Sequence, residues 1–272
     1  MPPRLTVVGS VNLDLVAGVE HLPRAGETVS GVAFERVPGG KGANQAVAAA
    51  RLGAEVVFHG AVGVDGFAAE ALAGLREAGV EIHVERVGQT GVALILVDRS
   101  GENQIVVVPG ANAAVESARA GGNVLCQLEI PLETVEAEAS AAAFFCLNAA
   151  PARGLPPDLL ERVDLLVVNR YELEALEHEP RGLVALTLGA EGAVLLEGGE
   201  EVARAAPPAV EAVDGTAAGD AFTACLVVSL LEGRPREEAL RRACAAGALA
   251  ASRFGAQPSL PTAAEIDAIL AR

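Results

Sequence analysis

Tryptophan is absent from this chain, tyrosine occurs once and phenylalanine seven times in 272 residues. So few rings argue against the aromatic platforms that hold single-stranded nucleic acids. Basic residues are also scarce, 20 against 36 acidic, giving a formal charge of −16. That charge argues against nucleic-acid backbones and anionic membranes, which need a basic surface. No run reaches the roughly 18–20 continuous apolar residues of a membrane span. The longest candidate, Ala221–Leu231, reads as a buried helix. Residues 1–10 lead directly into a strand pattern with no separate apolar signal region, so a cytoplasmic location is expected. The cysteines Cys126, Cys146, Cys225 and Cys244 form no CxxC pair and sit among apolar residues. Buried free thiols in a reducing compartment are expected, and a zinc site is not. Neither GxxxxGK[ST] nor GxGxxG occurs, which removes the Walker loop and the dinucleotide fingerprint and weakens a dehydrogenase reading.

What the chain does have is apolar mass: 51% of its residues are hydrophobic, with 30 glycines. Short apolar runs at 5–8, 56–60, 123–128, 143–147, 165–168, 184–188 and 193–197 read as strands. Helical patterns at 67–77, 132–140, 158–162, 171–177, 219–232, 236–254 and 263–271 alternate with most of them, and an Ala-rich helix follows the glycines at 39–42. This alternation predicts a doubly wound, mostly parallel α/β sheet flanked by helices, with ligands at the carboxyl ends of its strands. Segments 11–19, 28–37, 92–97 and 104–108 lack intervening helices. They predict a small antiparallel β subdomain, from about 11–37 and 92–108, attached to a single domain spanning 1–272 and used as a lid.

The most informative stretch is AVDGTAAGDAFTACLV, residues 212–227. Small side chains leave the N–H groups of Ala217, Ala218 and Gly219 open at a helix N-terminus, where backbone dipoles favour an anion. Asp220 at that point has two readings. It is an ordinary helix N-cap acid, or it is a base taking a proton from a group that attacks a phosphate. A second glycine-rich loop, GGKGANQ (39–45), brings Lys41 and Asn44 to exposed backbone, and Asn12 and Asp14 follow the first strand. Carboxylate, carboxamide and backbone N–H together suit a polyol; turn chemistry is the plainer account of Asn12 and Asp14.

These strings occur in order with GETVSG (26–31), AVGVDG (61–66), TGVALILV (90–97), GENQIVVVPGANA (101–113), QLEIPLE (127–133), NAAPA (148–152), NRYE (169–172), TLGAEG (187–192) and GAQPSLP (255–261). In this the chain resembles, over nearly its whole length, the ribokinase-like (pfkB-type) carbohydrate kinases. The resemblance implies ATP-dependent phosphorylation of the primary hydroxyl of a pentose, D-ribose first and 2-deoxyribose or another furanose next. It implies Asp220 as the base and Ala217, Ala218 and Gly219 as the anion hole. Asn12, Asp14, Gly40, Lys41, Asn44 and Glu129 match sugar-binding positions. Asn169 and Glu172 match a pair organising water-bound Mg2+. Asn169, Thr187, Gly189, Gly192, Gly219 and Cys244 fall at nucleotide-contacting positions. Asp214, Thr216, Ala250, Arg253, Gly255 and Ser259 resemble a K+ site. A homodimer through the lid is also implied.

The chain departs from the family in four places. Gly215 replaces the usual Thr, Cys244 stands in the adenine pocket, and segments 116–123 and 177–183 are short. Two other functions stay open at this level. A nucleoside kinase would want more aromatic residues near the lid, and a sugar or nucleotide sensor without catalysis would not need an intact Asp220.

Overall fold

The computed structural model describes residues 1–178 and 180–271. The chain begins with β1 (Arg4–Val8), β2 (Asn12–Val19), β3 (Gly31–Gly39), α1 (Lys41–Arg51) and β4 (Glu55–Val62). It continues through α2 (Ala68–Ala71), α3 (Ala73–Glu77), β5 (Glu81–Arg86), β6 (Gly91–Val97), β7 (Asn103–Val108) and β8 (Asn123–Gln127). Next come α4 (Leu132–Ala141), β9 (Phe144–Asn148), α5 (Pro157–Leu160), β10 (Leu165–Asn169), α6 (Arg170–Glu174) and β11 (Leu183–Thr187). The last elements are β12 (Ala193–Glu197), β13 (Glu200–Ala205), α7 (Ala218–Leu231), α8 (Arg236–Ala251) and α9 (Ala263–Leu270).

Nine strands form one sheet in the order β13-β12-β11-β10-β9-β8-β1-β4-β5. Pairings from β5 across to β11 are parallel, and β12 and β13 add antiparallel strands at one edge. Successive residues of the central strands point to opposite faces, as strand geometry requires. Leu5 and Val7 join the core under α1, α7 and α8, while Val8 joins the core under α4 and α5. Strands buried on both faces explain the continuous apolar runs of the sequence. The strand order reverses at β1 and β8, the place where open α/β sheets form a ligand crevice.

A second sheet has the order β3-β2-β6-β7. Its outer pairings are antiparallel, and its central pairing, β2 with β6, is parallel. The β3 ladder runs to Gly39, two residues past its expected end, through Pro38. An edge strand tolerates that proline, because one side of β3 has no ladder to complete.

The other boundary differences have local causes. The helix expected over 67–77 is divided in two at Leu72. The edge strands β5 and β13 are half charged, so no apolar run announced them. The short 116–123 segment forms neither helix nor strand before β8. Fully buried Glu138 holds it by accepting from Ser117 Oγ (2.7 Å), Arg119 N–H (2.8 Å) and Ala120 N–H (2.9 Å). In the short 177–183 segment, Glu179 lies outside the described residues, and the rest carries no helix before β11. All four cysteines are buried and free, and burial pushes the Cys225 thiol up to about 12 and that of Cys244 to about 11. Among the described residues no helix is long and apolar enough to cross a membrane.

Candidate active site

Two helix N-termini meet the reversal point of the sheet. α1 starts at Lys41 after Gly40, whose φ of 88° favours glycine. A Cβ there would lie 2.8 Å from Asn12 N, so the bare backbone also lets the loop close on the start of β2. Glu129, just past β8, accepts from Lys41 N–H (3.0 Å) and from Ser10 Oγ–H. A carboxylate at a helix N-terminus is favourably placed against the dipole.

α7 starts after Ala217, which has φ 59°, a left-handed conformation costing an alanine roughly 1–2 kcal/mol. A left-handed residue beside helical ones is the backbone conformation from which anion-binding nests are built. The N–H groups of Ala217 and Gly219 have no protein partner among the described residues. Ala218 N–H differs from expectation. It donates to Gly215 O at 3.2 Å, because the tight turn closes on itself.

Asp220 occupies the first turn of α7 and is 5% exposed. Its carboxylate is held from α1: Oδ2 accepts from Asn44 Nδ2 at 3.0 Å and Oδ1 from Gln45 Nε2 at 2.9 Å. The N-cap reading fails on this geometry, since no side-chain cap bond forms and Ala217 is the cap residue.

A cavity of about 500 Å³ brings together Asn12, Asp14, Gly40, Lys41, Asn44, Glu129, Asn169, Glu172, Thr187, Thr216, Ala217, Gly219 and Asp220. The Asp220 carboxylate first, then Glu129 and Glu172, raises the Lys41 pKa against the opposing effect of burial. Burial first, then Glu129 and Asp220, pushes the Asp14 carboxyl up to about 7. Asn12 has a fixed polarity. Asn112 Oδ1 accepts from Val11 N–H (2.9 Å), so its Nδ2 donates to Asn12 Oδ1 (2.7 Å) and leaves Asn12 Nδ2 as the free donor. Asn44 Oδ1 is buried without a partner, an acceptor suited to a ligand hydroxyl.

A second cavity of about 600 Å³ adjoins the first through Thr187, Gly215 and Gly219. Gly189, Gly192, Pro207, Val210, Phe222, Cys244 and Gly247 are among its lining residues, and among the described residues no charged side chain lines it. An apolar slot beside an N–H cluster and a polar cavity has the chemistry to take a ring-bearing phosphate compound next to a hydroxylated one.

Asn169 and Glu172 form a reciprocal cap on α6. Asn169 Oδ1 accepts from Glu172 N–H (2.9 Å), and Glu172 Oε2 accepts from Asn169 N–H (2.8 Å). Partial burial raises the Glu172 pKa. Asp214 ties the loop at 214–216 to the C-terminal end of α8 and the segment at 252–256. Its Oδ1 accepts from Thr216 N–H (2.9 Å) and Oγ1–H (2.6 Å), and its Oδ2 accepts from Gly255 N–H (2.9 Å). Asp214 N–H itself donates to Ala251 O (3.1 Å), and Ser259 Oγ–H donates to Ala256 O (2.7 Å).

Gln45, Asn112 and Asn148 belong to this polar cluster and carried no assignment in the sequence. The available signal was a polar residue amid an Ala-rich buried helix for Gln45, fully buried here, since such a group needs partners.

The pfkB family carbohydrate kinase profile matches residues 2–263. The chain is 41% identical to the ribokinase of Bacillus subtilis, covering 98% of this chain and 99% of that one. It is 34% identical to the deoxyribokinase of Salmonella typhimurium, with 95% of each covered. The solved Arabidopsis thaliana ribokinase, complexed with ribose and ATP, superposes with a TM-score of 0.87 at 34% identity, over 99% of both chains. On the family match and these full-length likenesses, the chain belongs to the pfkB family of carbohydrate kinases.

Proposed function

We propose that this chain is an ATP-dependent sugar kinase that transfers the γ-phosphoryl group to the primary hydroxyl of a pentose, D-ribose first. The single observation that carries this reading is the buried Asp220 carboxylate at the first turn of α7, in one cavity with free main-chain N–H groups and a polyol-type donor set. The higher identity to the Bacillus subtilis ribokinase than to the deoxyribokinase favours ribose over deoxyribose. A nucleoside acceptor finds little support, because only aliphatic residues, Ala93, Ile95, Ile105 and Val107, supply the apolar lining from β6 and β7.

In this reading Asn12 Nδ2, Asp14, Lys41, Asn44 Oδ1, Glu129 and the Gly40 backbone grip the sugar hydroxyls. Asp220 takes the proton of the primary hydroxyl, whose oxygen attacks the γ-phosphorus. The bond from that phosphorus to the β-phosphate oxygen breaks and ADP leaves. Free N–H groups of Ala217 and Gly219 stabilise the charge on the migrating group. Ala218 N–H joins them once it releases Gly215 O. The nucleotide base occupies the apolar cavity at Cys244, with Thr187, Gly189 and Gly192 along its edge.

Magnesium, when bound, neutralises phosphate charge and keeps most of its waters. Glu172 fits it, because Oε1 makes no hydrogen bond among the described residues. Asn169 has its oxygen committed to the α6 cap, so its free Nδ2 suits a phosphate oxygen rather than the metal shell. One carboxylate, Asp214, with carbonyls of Thr216, Ala250, Arg253 and Gly255 and Ser259 Oγ, is a donor set for a monovalent cation such as K+.

The four-stranded sheet acts as the lid. Register places Leu94 opposite Val106 and Val92 opposite Val108, and Leu94, Val106, Val108 and Phe34 are exposed on it. An apolar sheet face of this kind wants a partner, and a second copy of the chain is the occupant we propose. Val106→Asp should convert a dimer to monomers in sedimentation analysis; a wild-type monomer would contradict this. The cytoplasm is the proposed location.

The experiment for the function is ADP release over a panel of ribose, 2-deoxyribose, other furanoses and nucleosides, with and without magnesium, in potassium and in choline buffers. Ribose should give the highest kcat/KM, with magnesium required and potassium stimulating. No ADP release with any acceptor would overturn the reading in favour of a binding protein.

The same geometry predicts a pH effect. Between the ordinary carboxylate value of 3.8 and about 7, folded Asp14 keeps a proton that the unfolded chain has lost. Its contribution to stability therefore falls as pH rises through that window. Asp14→Asn should stabilise the free protein at about pH 8, on the order of a few kcal/mol, and give little at about pH 4. It should also raise the ribose KM. Melting curves at the two pH values check the sign, and equal gains at both would contradict it.

A further inference from the structure

Behind Asp220 lies a chain of buried carboxamides that the reaction itself does not use. Gln45 Nε2 donates to Asp220 Oδ1 (2.9 Å) and to Asn148 Oδ1 (2.9 Å). Gln45 Oε1 accepts from Gln127 Nε2 at 2.7 Å, and Asn148 Nδ2 donates to Val167 O at 3.2 Å. Gln45 and Gln127 are fully buried. A carboxylate and a main-chain carbonyl only accept, so the two ends of the chain dictate the polarity of every amide between them.

Gln127 branches from Gln45, and its Oε1 is buried without a partner. A Cβ on Gly9 would lie 2.1 Å from that oxygen, so the bare backbone of Gly9 is what seats the side chain. For stability alone, an apolar side chain would serve better than a half-satisfied amide. The polar choice makes sense if the donated bond to Gln45 matters.

We infer that Gln45 and Gln127 are positioning residues for the base. Gln127 turns the Gln45 amide so that Nε2 faces Asp220, and Gln45 then fixes the carboxylate in one orientation. Neither amide can take up the proton, so the carboxylate stays the acceptor for the sugar hydroxyl. This rests on the reading of Asp220 as the base.

The test compares Gln127→Glu and Gln127→Met with wild type and with Asp220→Asn, reading kcat against pH, ribose KM and melting temperature. In Gln127→Glu the ionised carboxylate, which only accepts, faces Gln45 Oε1. Gln45 must then turn and present its oxygen to Asp220. The acid limb of the kcat profile should move up by about one pH unit. Plateau kcat should fall about tenfold, with KM within about threefold. Gln127→Met, which lacks the donor, should move the limb the same way and less far. Asp14, Lys41, Glu129 and Glu172, the other charged groups lining the cavity, remain in place in both variants.

An unmoved acid limb with full kcat overturns the inference. So does a lowered melting temperature with an unmoved limb, which makes Gln127 merely structural. Should both variants fail to fold, the side-chain amide signals of Gln45 in wild-type NMR spectra decide, since they must shift as Asp220 titrates. A Gln45 signal indifferent to that titration overturns the inference. Near-normal turnover in Asp220→Asn removes the base assignment itself. An inactive Asp220→Asn beside unaltered Gln127 variants removes the positioning role alone.

Discussion

Asp220→Asn should lower turnover with ribose and ATP by about 10²–10⁴-fold, the usual worth of a general base, while the sugar KM changes little. The carboxamide has the same shape but cannot accept the hydroxyl proton. Both oxygens of the native side chain receive carboxamide donors, from Asn44 and Gln45. An asparagine would set its own NH2 against one of them, leaving two donors facing each other. Some stability is therefore lost, although removing a buried charge offsets part of it. A drop in kcat without a comparable drop in melting temperature separates the chemical effect from the structural one. Variant turnover within a few-fold of wild type would exclude Asp220 as the base.

Gly219→Val should lower kcat/KM by about 10²–10³-fold, comparable to the loss of an oxyanion-hole donor. A Cβ built at Gly219 meets nothing within 4 Å, and Gly219 lines both the polar and the apolar cavity. The open space there is the path proposed for the phosphate chain. An isopropyl group would fill it and shield the Gly219 N–H. Valine is also a better helix former than glycine, so the melting temperature should hold or rise slightly. A large loss of activity in a protein of unchanged stability is thus the signature. Unchanged activity would mean that phosphate does not pass Gly219.

Much of this arrangement was readable from residues alone, for reasons that can be named. The parallel strands are covered on both faces, so Leu5–Val8 and Leu165–Val168 announced themselves as apolar runs. The Gly215–Gly219 turn and the GGKGAN loop stood out because small residues before a helix expose backbone N–H groups. Edge strands β5 and β13 stayed hidden, because half of their residues face solvent and carry charge. Parallel pairing of β2 with β6 depends on residues about 80 apart in the chain, and no local pattern encodes it. Ala218 donating to Gly215, and Asn169 spending its oxygen on the α6 cap, are consequences of three-dimensional closure. The amide chain behind Asp220 joins residues from α1, β8 and β9, which only the fold brings together.

The most direct test of the central claim is a structure of the complex with ribose and a non-hydrolysable ATP analogue. The account predicts the ribose primary hydroxyl within hydrogen-bond reach of Asp220, roughly 2.6–3.2 Å, with the γ-phosphoryl oxygens on the N–H groups of Ala217 and Gly219. A sugar bound with that hydroxyl remote from Asp220, or a γ-phosphate held away from the start of α7, would contradict it.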